Sequence, residues 1–357
     1  MASITDVARL AGVSPATASR VVSDAPYAVS AATRERVLDA ARALDYVPNA
    51  LARGLLKSYS PVVGVIVHDI TDPYFSEVVR GVEDAASAAG LLVVTCSSDR
   101  DAEREDSYVR LLRSMRVATV IFAGSGIDDS DLNEAMRKHA MAIRGYGAAV
   151  VHLSPHAAGE AEVGVDNAAG VASIVAALVA LGHRRIAFLA GPASLYVARQ
   201  RLEGYRRGLA DAGIPIDDRL VVPTGFSRED GEAAVDVLLA GEAPFTAILA
   251  ANDLLALGAL HRLDRLRIQV PRDVSVAGFD DIQTAAITAP RLSTVRLPLQ
   301  EIGRRGFAFA EQLLAGGRPA VEVLPTEVVM RESTAPPPAA ALPGRHRRSA
   351  PAAAGAA

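Results

Sequence analysis

"GVSPATASR", residues 12–20, sets a proline just ahead of a run that reads as the start of a helix. Inside a helix, proline removes an amide donor and clashes with the preceding turn, whereas at the first helical position its missing N–H has no partner to lose. Pro15 therefore fits if Ser14 is the N-cap, a residue type favoured there. Ala18, Val21 and Val22 then fall at i, i+3 and i+4 and mark a buried face. Upstream, "ITDVARLAG" (4–12) repeats the grammar, with Thr5 as cap, Asp6 in the first turn, Val7, Leu10 and Ala11 on one face, and Gly12 as stop. Two short helices meeting at a glycine turn form a helix-turn-helix, whose second helix presents Pro15, Ala16, Ser19 and Arg20 outward. A third helix, "AATRERVLDAARAL" (31–44), begins after Ser30 as cap.

The bulk numbers bound what surrounds this headpiece. A chain of 357 residues, 50% hydrophobic and 22% charged, has the make-up of a globular protein with two or three domains. Its one cysteine, Cys96, excludes an internal disulfide and, in an apolar strand, reads as a small core residue. The start "MASITDV" lacks the charged and apolar regions of a secretory signal, so a cytoplasmic protein is expected. The richest apolar run, "GVASIVAALVALG" (170–182), has only the length of an amphipathic helix, so no membrane span is expected. Net charge is −4, and residues 1–58 hold seven basic against five acidic side chains. So slight a local excess is also what a solvated surface would carry, and the helix pattern is the stronger sign of nucleic-acid binding.

From Pro61 the texture becomes β-branched runs alternating with helix-length segments: "VVGVIV", 73–89, "LLVVTC", 101–115, "ATVIFAG", 130–140. It resumes with "RIAFLAG", 198–213, "RLVVP", 228–240, "TAILAA", 253–265 and "VSVAGFD". Apolar strands without polar alternation imply parallel sheets covered on both faces. The expected fold is an all-α headpiece (1–47), a linker (48–60) and an α/β bilobed body (61–334). Within the body the lobes span about 61–162 and 163–290, and the chain crosses back at 291–334. The Pro- and Ala-rich stretch 335–357 has few bulky apolar groups to offset ordering entropy and is expected to be a disordered tail, its "RHRR" a solvated charge cluster.

The set "ITDVARLAGVSPATASRVV", "YVPNALARGL", "DPYFSEVVRGVEDAA", "LGHRRIAFLAGP", "RLEGYRRGL", "AANDLLALGAL" and "VPRDVSVAGFDD" resembles the lactose/galactose-repressor family of bacterial transcription regulators, over residues 3–332. The resemblance implies a helix-turn-helix headpiece, a hinge helix, and a body similar to periplasmic sugar-binding proteins that closes around a small effector. It also implies homodimers or tetramers acting on palindromic operator DNA.

Carried over by motif, Pro15 and Ala16 face base edges, where they offer only apolar contacts, and Arg20 is the hydrogen-bonding reader. Thr5, Ser14, Thr17 and Ser19 carry short hydroxyls suited to phosphate contacts, beside the capping roles of Thr5 and Ser14. "PNALARGLLK" (48–57) resembles the hinge helix, with Ala52 and Leu55 on DNA and Leu55 as the wedge into a central base step. Gly54 there, and a loop "SDAPYAV" (23–29) one residue longer than usual, depart from the family pattern. For the effector, the resemblance implies stacking by Phe75 and Phe226 and polar contacts by Arg201, Asn252 and Asp280. Read without it, these are two core aromatics and a structural ion pair. Ser154, Leu195, Val197 and Leu297 replace polar positions of relatives, which implies an effector less hydroxylated than a free hexose, of the sugar or nucleoside kind.

His68, His183 and His261 are scattered, read as surface or loop histidines, and show no metal-binding spacing; no cofactor is expected. A solute-binding protein would share the body, but the headpiece and the absent signal sequence disfavour it. "GFDD" and "DDSD" supply paired carboxylates, yet no nucleophile–base pair or phosphate-cradling loop accompanies them, which disfavours an enzyme.

Overall fold

A computed structural model of the chain describes residues 2–23, 29–47, 60–156 and 161–342. The headpiece comprises α1 (Ile4–Ala11), α2 (Pro15–Val22) and α3 (Ala31–Ala43). Ser14 caps α2 by accepting from the Thr17 amide, Pro15 holds the first helical position, Ser30 caps α3, and Gly12 closes α1 at φ 66°. Two readings are corrected. The cap of α1 is Ser3, not Thr5: the Ser3 side chain accepts from the Asp6 amide while the Asp6 carboxylate accepts from Ser3, a reciprocal pair that Thr5 cannot form from inside the helix. The buried face is Val7, Ala8 and Ala11, which pack with Ala18, Val21, Val37, Ala40 and Ala41, whereas Leu10 is 58% exposed.

The first lobe opens with β1 (Ser60–Val67), α4 (Pro73–Ala88), β2 (Leu92–Ser97), α5 (Ala102–Ser114), β3 (Val117–Phe122), α6 (Ser130–Arg144), β4 (Ala149–His152) and β5 (Glu162–Val165). The second runs α7 (Asn167–Ala180), β6 (Ile186–Leu189), α8 (Tyr196–Asp211), β7 (Val221–Val222), α9 (Arg228–Ala240), β8 (Ala247–Ala250), α10 (Asp253–Arg265) and β9 (Ser275–Ala277). The chain then returns through β10 (Thr294–Arg296), α11 (Leu299–Leu314), β11 (Val321–Leu324) and β12 (Glu327–Val329).

The strand order is β11-β5-β4-β3-β1-β2 in one sheet and β7-β6-β8-β9 in the other, with parallel pairing throughout. Every residue of β3, β4, β6 and β8 is buried, as unalternated apolar strands demand. β2 lies at a sheet edge, so Cys96 is half-buried and packs on the core rather than within it. The antiparallel pair β10–β12 stitches two of the crossings between the lobes, Thr294 facing Val329 and Arg296 facing Glu327.

Helices pair closely where glycine removes the side chain. At Gly303 on α11 an added Cβ would lie 2.1 Å from the Val78 carbonyl oxygen of α4, and at Gly81 on α4 one would lie 2.0 Å from the Gln300 carbonyl oxygen.

The expected disordered tail does not begin at 335. Leu342 is buried and exchanges two backbone hydrogen bonds with Phe245, while the Ala335 carbonyl accepts from the Ser275 hydroxyl and lies 2.9 Å from a ring nitrogen of His183. Backbone pairing is available to any composition, so an apolar-poor segment orders here without a core of its own. Residues 343–357, including "RHRR", lie outside the described residues.

Candidate functional site

Two faces of the molecule gather the candidate residues. On the headpiece, Thr5, Ser14, Pro15, Ala16, Ser19 and Arg20 are exposed and Thr17 is half-buried. Pro15, Ala16, Ser19 and Arg20 stand opposite Ala18 and Val21 on α2, so the side of the helix away from its core carries the proposed reading surface. The Ser14 and Thr17 hydroxyls are 2.9 Å apart, so one of their two protons is used locally and the other remains for a phosphate oxygen. Ala52, Leu55 and Gly54 lie outside the described residues, as does most of the 23–29 loop.

Between the lobes, Phe75, Arg201, Phe226, Asn252 and Asp280 all line one cavity of about 50 Å³, together with Ser154, Leu195 and Val197. Leu297 is buried and lines no part of it. The residues come from segments far apart in sequence, at the ends of strands and starts of helices, where parallel α/β sheets bind ligands.

Arg201 is 5% exposed and fully engaged: it donates to Asn167 Oδ1 at 3.0 Å, to the Ala251 carbonyl at 2.5 Å and to Asp280 Oδ1 at 3.1 Å. Its guanidinium lies 4.1 Å from the Phe279 ring centroid. Burial raises the Asp280 carboxyl well above the ordinary range, Arg201 pulls it back down, and the neighbouring Asp72 adds to the rise. Asp280 also has φ 124°, a region that side chains rarely adopt, so the surrounding structure must hold it there.

Asn252 caps α10, accepting from the Leu255 amide, and its amide group donates to the Phe226 carbonyl at 3.2 Å, so it positions the Phe226 loop as well as lining the cavity. Phe226 fits because Gly191, at φ 73°, leaves room: a Cβ there would sit 2.5 Å from the ring. Phe75 meets His68 and Tyr74 edge-on, with centroids 5.7 and 5.0 Å away. The two aromatics are thus buried and wall the cavity at once, and the bland and functional readings coincide in them.

Sequence reasoning missed His68, Asp72, Tyr74, Arg100 and Ser125, which line the same cavity. His68 and His183 lie in loops, as read, but are buried rather than on the surface; His261 is exposed. The available signal was position: His68 follows β1 and Arg100 follows β2, at the ligand-binding ends of the strands. Among the described residues no group of three or more His, Cys, Asp or Glu could hold a metal ion, and no helix is long and apolar enough to cross a membrane. The paired carboxylates of "GFDD" do not form a reactive pair, because Asp281 is engaged by Arg296 and Arg331.

A helix-turn-helix headpiece ahead of two parallel-sheet lobes around a polar cleft defines a DNA-binding transcriptional regulator. Comparison with known proteins agrees. Residues 3–49 match the bacterial regulatory proteins of the lacI family and residues 175–334 a periplasmic binding protein-like domain. The chain is 34% identical to the HTH-type transcriptional regulator DegA of Bacillus subtilis over 93% of its own length and 98% of that protein's. Among solved structures it resembles the Lac repressor dimer bound to operator and the anti-inducer ONPF (TM-score 0.83, 29% identity, 94% of this chain and 99% of that one). It also resembles a complex of the regulator CelR with cellobiose (TM-score 0.67, 31% identity, 93% and 100%). The chain belongs to the LacI family, whose matched members are transcriptional regulators and not enzymes.

Proposed function

We propose that the chain is a repressor, binding a pseudo-palindromic operator as a homodimer in the cytoplasm, and that a sugar or related small metabolite held between the lobes controls its grip. One observation carries this reading: five residues selected from scattered motifs, Phe75, Arg201, Phe226, Asn252 and Asp280, converge on a single inter-lobe cavity, in a chain whose headpiece exposes the outward face of α2. The operator complex of the Lac repressor and the cellobiose complex of CelR support it by analogy. In this reading residues 1–47 read DNA, 48–60 supply the hinge helix and linker with Ala52 and Leu55 on the minor groove, and 61–334 sense the effector and dimerise. Effector binding changes lobe closure, and closure orders or disorders the paired hinge helices. Genome-wide footprinting with purified protein tests it: short pseudo-palindromes beside metabolic genes are expected, and protection without sequence preference would refute it.

Two substitutions divide the DNA contacts. Arg20→Ala is expected to cost about 1–3 kcal/mol, confined to one base pair per half-site. Uniform loss across every base substitution in a binding titration would make Arg20 a phosphate contact instead. Leu55→Ala is expected to weaken operator binding while sparing non-specific DNA, because a wedge is needed for the kink and phosphate contacts are not. Gel shifts on operator and random duplexes read the difference, and equal loss on both would remove the wedge from the account.

A further inference from the structure

The N-terminus of α8 is completed by the other lobe. A helix leaves its first amides without partners inside the helix, and a side chain at the N-cap usually takes one of them. In the second lobe Asp166, Ser227 and Asn252 do this for α7, α9 and α10. α8 begins after Leu195, whose side chain has no acceptor and makes no cap bond. Its first two amides reach across the cleft instead. Tyr196 N–H donates to the Gly126 carbonyl at 3.2 Å and Val197 N–H to Ser125 Oγ at 3.2 Å, both acceptors lying on the first-lobe loop that follows β3. The Asp128 amide of that loop donates back to the Ser194 carbonyl at 2.8 Å, so Ile127 and Leu195 face each other as one rung of an antiparallel ladder.

Side chains extend the junction. Arg199 on α8 pairs with Asp128, and the Tyr196 hydroxyl lies 3.4 Å from Asp128 Oδ1 and 3.3 Å from the side-chain nitrogen of Asn133 on α6. Both members of the ion pair are half exposed, so salt screens it and it adds little. The main-chain bonds, with Leu195 at 2% exposure between them, carry the junction. Ser125, Leu195 and Val197 also line the inter-lobe cavity, whose volume of about 50 Å³ takes only a few waters. We propose that this shared helix cap is a strap that holds the two lobes together in the ligand-free chain, and that an effector acts by undoing it. Parting the lobes hands two α8 amides to water and exposes Leu195, and a ligand must outweigh that loss. The effector's part in this rests on the reading of the inter-lobe cavity as its site.

The ligand-free full chain tests the strap. Facing residues on a rung without hydrogen bonds between them lie within disulfide reach. In a Cys96→Ser background, Ile127→Cys with Leu195→Cys is therefore expected to oxidise to completion with no ligand added, read by mass spectrometry of a digest. Hydrogen exchange on the wild-type chain is an independent measure. The amides of Asp128, Tyr196 and Val197 are expected to exchange about tenfold or more slowly than in unstructured chain. Ser125→Ala is expected to speed exchange across 194–200 by about two- to tenfold. A cysteine pair that stays reduced in a folded chain, unprotected amides, or a Ser125→Ala chain that exchanges like wild type would each overturn the strap. On the DNA sequences protected in footprinting, Ser125→Ala combined with Arg199→Ala imitates a bound effector and is expected to change affinity by about fivefold or more. Affinity that stays put while exchange rises would leave the strap standing and overturn instead the reading of the inter-lobe cleft as the control of DNA binding.

Discussion

Arg201→Ala is expected to abolish effector control of operator affinity and to destabilise the ligand-free body at the same time, by about 3–5 kcal/mol if Asp280 stays charged. The arginine donates to Asn167, Ala251 and Asp280 from a site that is 5% exposed, so its removal strands one carboxylate and two further acceptors. Proton uptake limits the damage. Asp280 already titrates at about 7 because burial outweighs Arg201, and without the arginine its carboxyl rises further and goes neutral. Asp280→Asn separates the two roles, since it keeps the shape and removes the charge. A carboxyl whose folded pKa lies above its unfolded value of 3.8 binds its proton more tightly when folded, so between about pH 4 and 7 it subtracts stability as pH rises. The asparagine variant is expected to lose that decline while also losing the effector response. Calorimetric melting from pH 4 to 8, run beside operator titration with and without effector, checks both. A response preserved in both variants would reduce the pair to a structural one. Where coupling is lost, the expected change in operator affinity is about 5- to 150-fold, the usual range for allosteric coupling of about 1–3 kcal/mol.

Gly303→Ala sets two well-defined effects against each other. Helix propensity alone predicts a gain of up to about 1 kcal/mol from replacing glycine in a helix interior. Packing predicts the reverse, because the new methyl would lie 2.1 Å from the Val78 carbonyl oxygen and 2.8 Å from the Val82 nitrogen, backbone atoms that move only if α4 moves. Overpacking costs about 1–3 kcal/mol and sometimes more, so packing wins. The melting temperature is expected to fall by about 2–4 °C per kcal/mol lost. Gly303→Val should fall further, and a rise for the alanine variant would show that the two helices can part at little cost.

What the sequence made legible follows from the range of each interaction. Caps are local, so Ser14 and Ser30 are legible from a few neighbours; Ser3 is not, because its pairing with Asp6 depends on both side chains reaching back together. Which helical face is buried depends on the other two helices, and the shared i, i+3, i+4 spacing gave Leu10 to the core when Ala8 occupies it. Alternating apolar runs marked the strands because both sheet faces are covered. The cavity was half-legible: Phe75, Arg201, Phe226, Asn252 and Asp280 sit in recognisable motifs, but Asp72 and Arg100 are single polar residues beyond strand ends, and only the packing of one lobe against the other brings them beside Asp280 and Phe226. The segment 335–342 was illegible for a different reason, since its own main-chain groups bond to the Ser275 hydroxyl at Ala335 and to the Phe245 backbone at Leu342, with the one buried Leu342 side chain beside them.

The β10–β12 ladder ties two of the three stretches of chain that run between the lobes, while the third leaves β5 for α7. Three short tethers between the same two bodies oppose separation and sliding more than they oppose tilting. Under the proposed function, a ligand in the cleft would signal through that tilt, so ligands of different chemistry that set the same angle would be interchangeable as signals, and one that binds tightly without changing it would be silent.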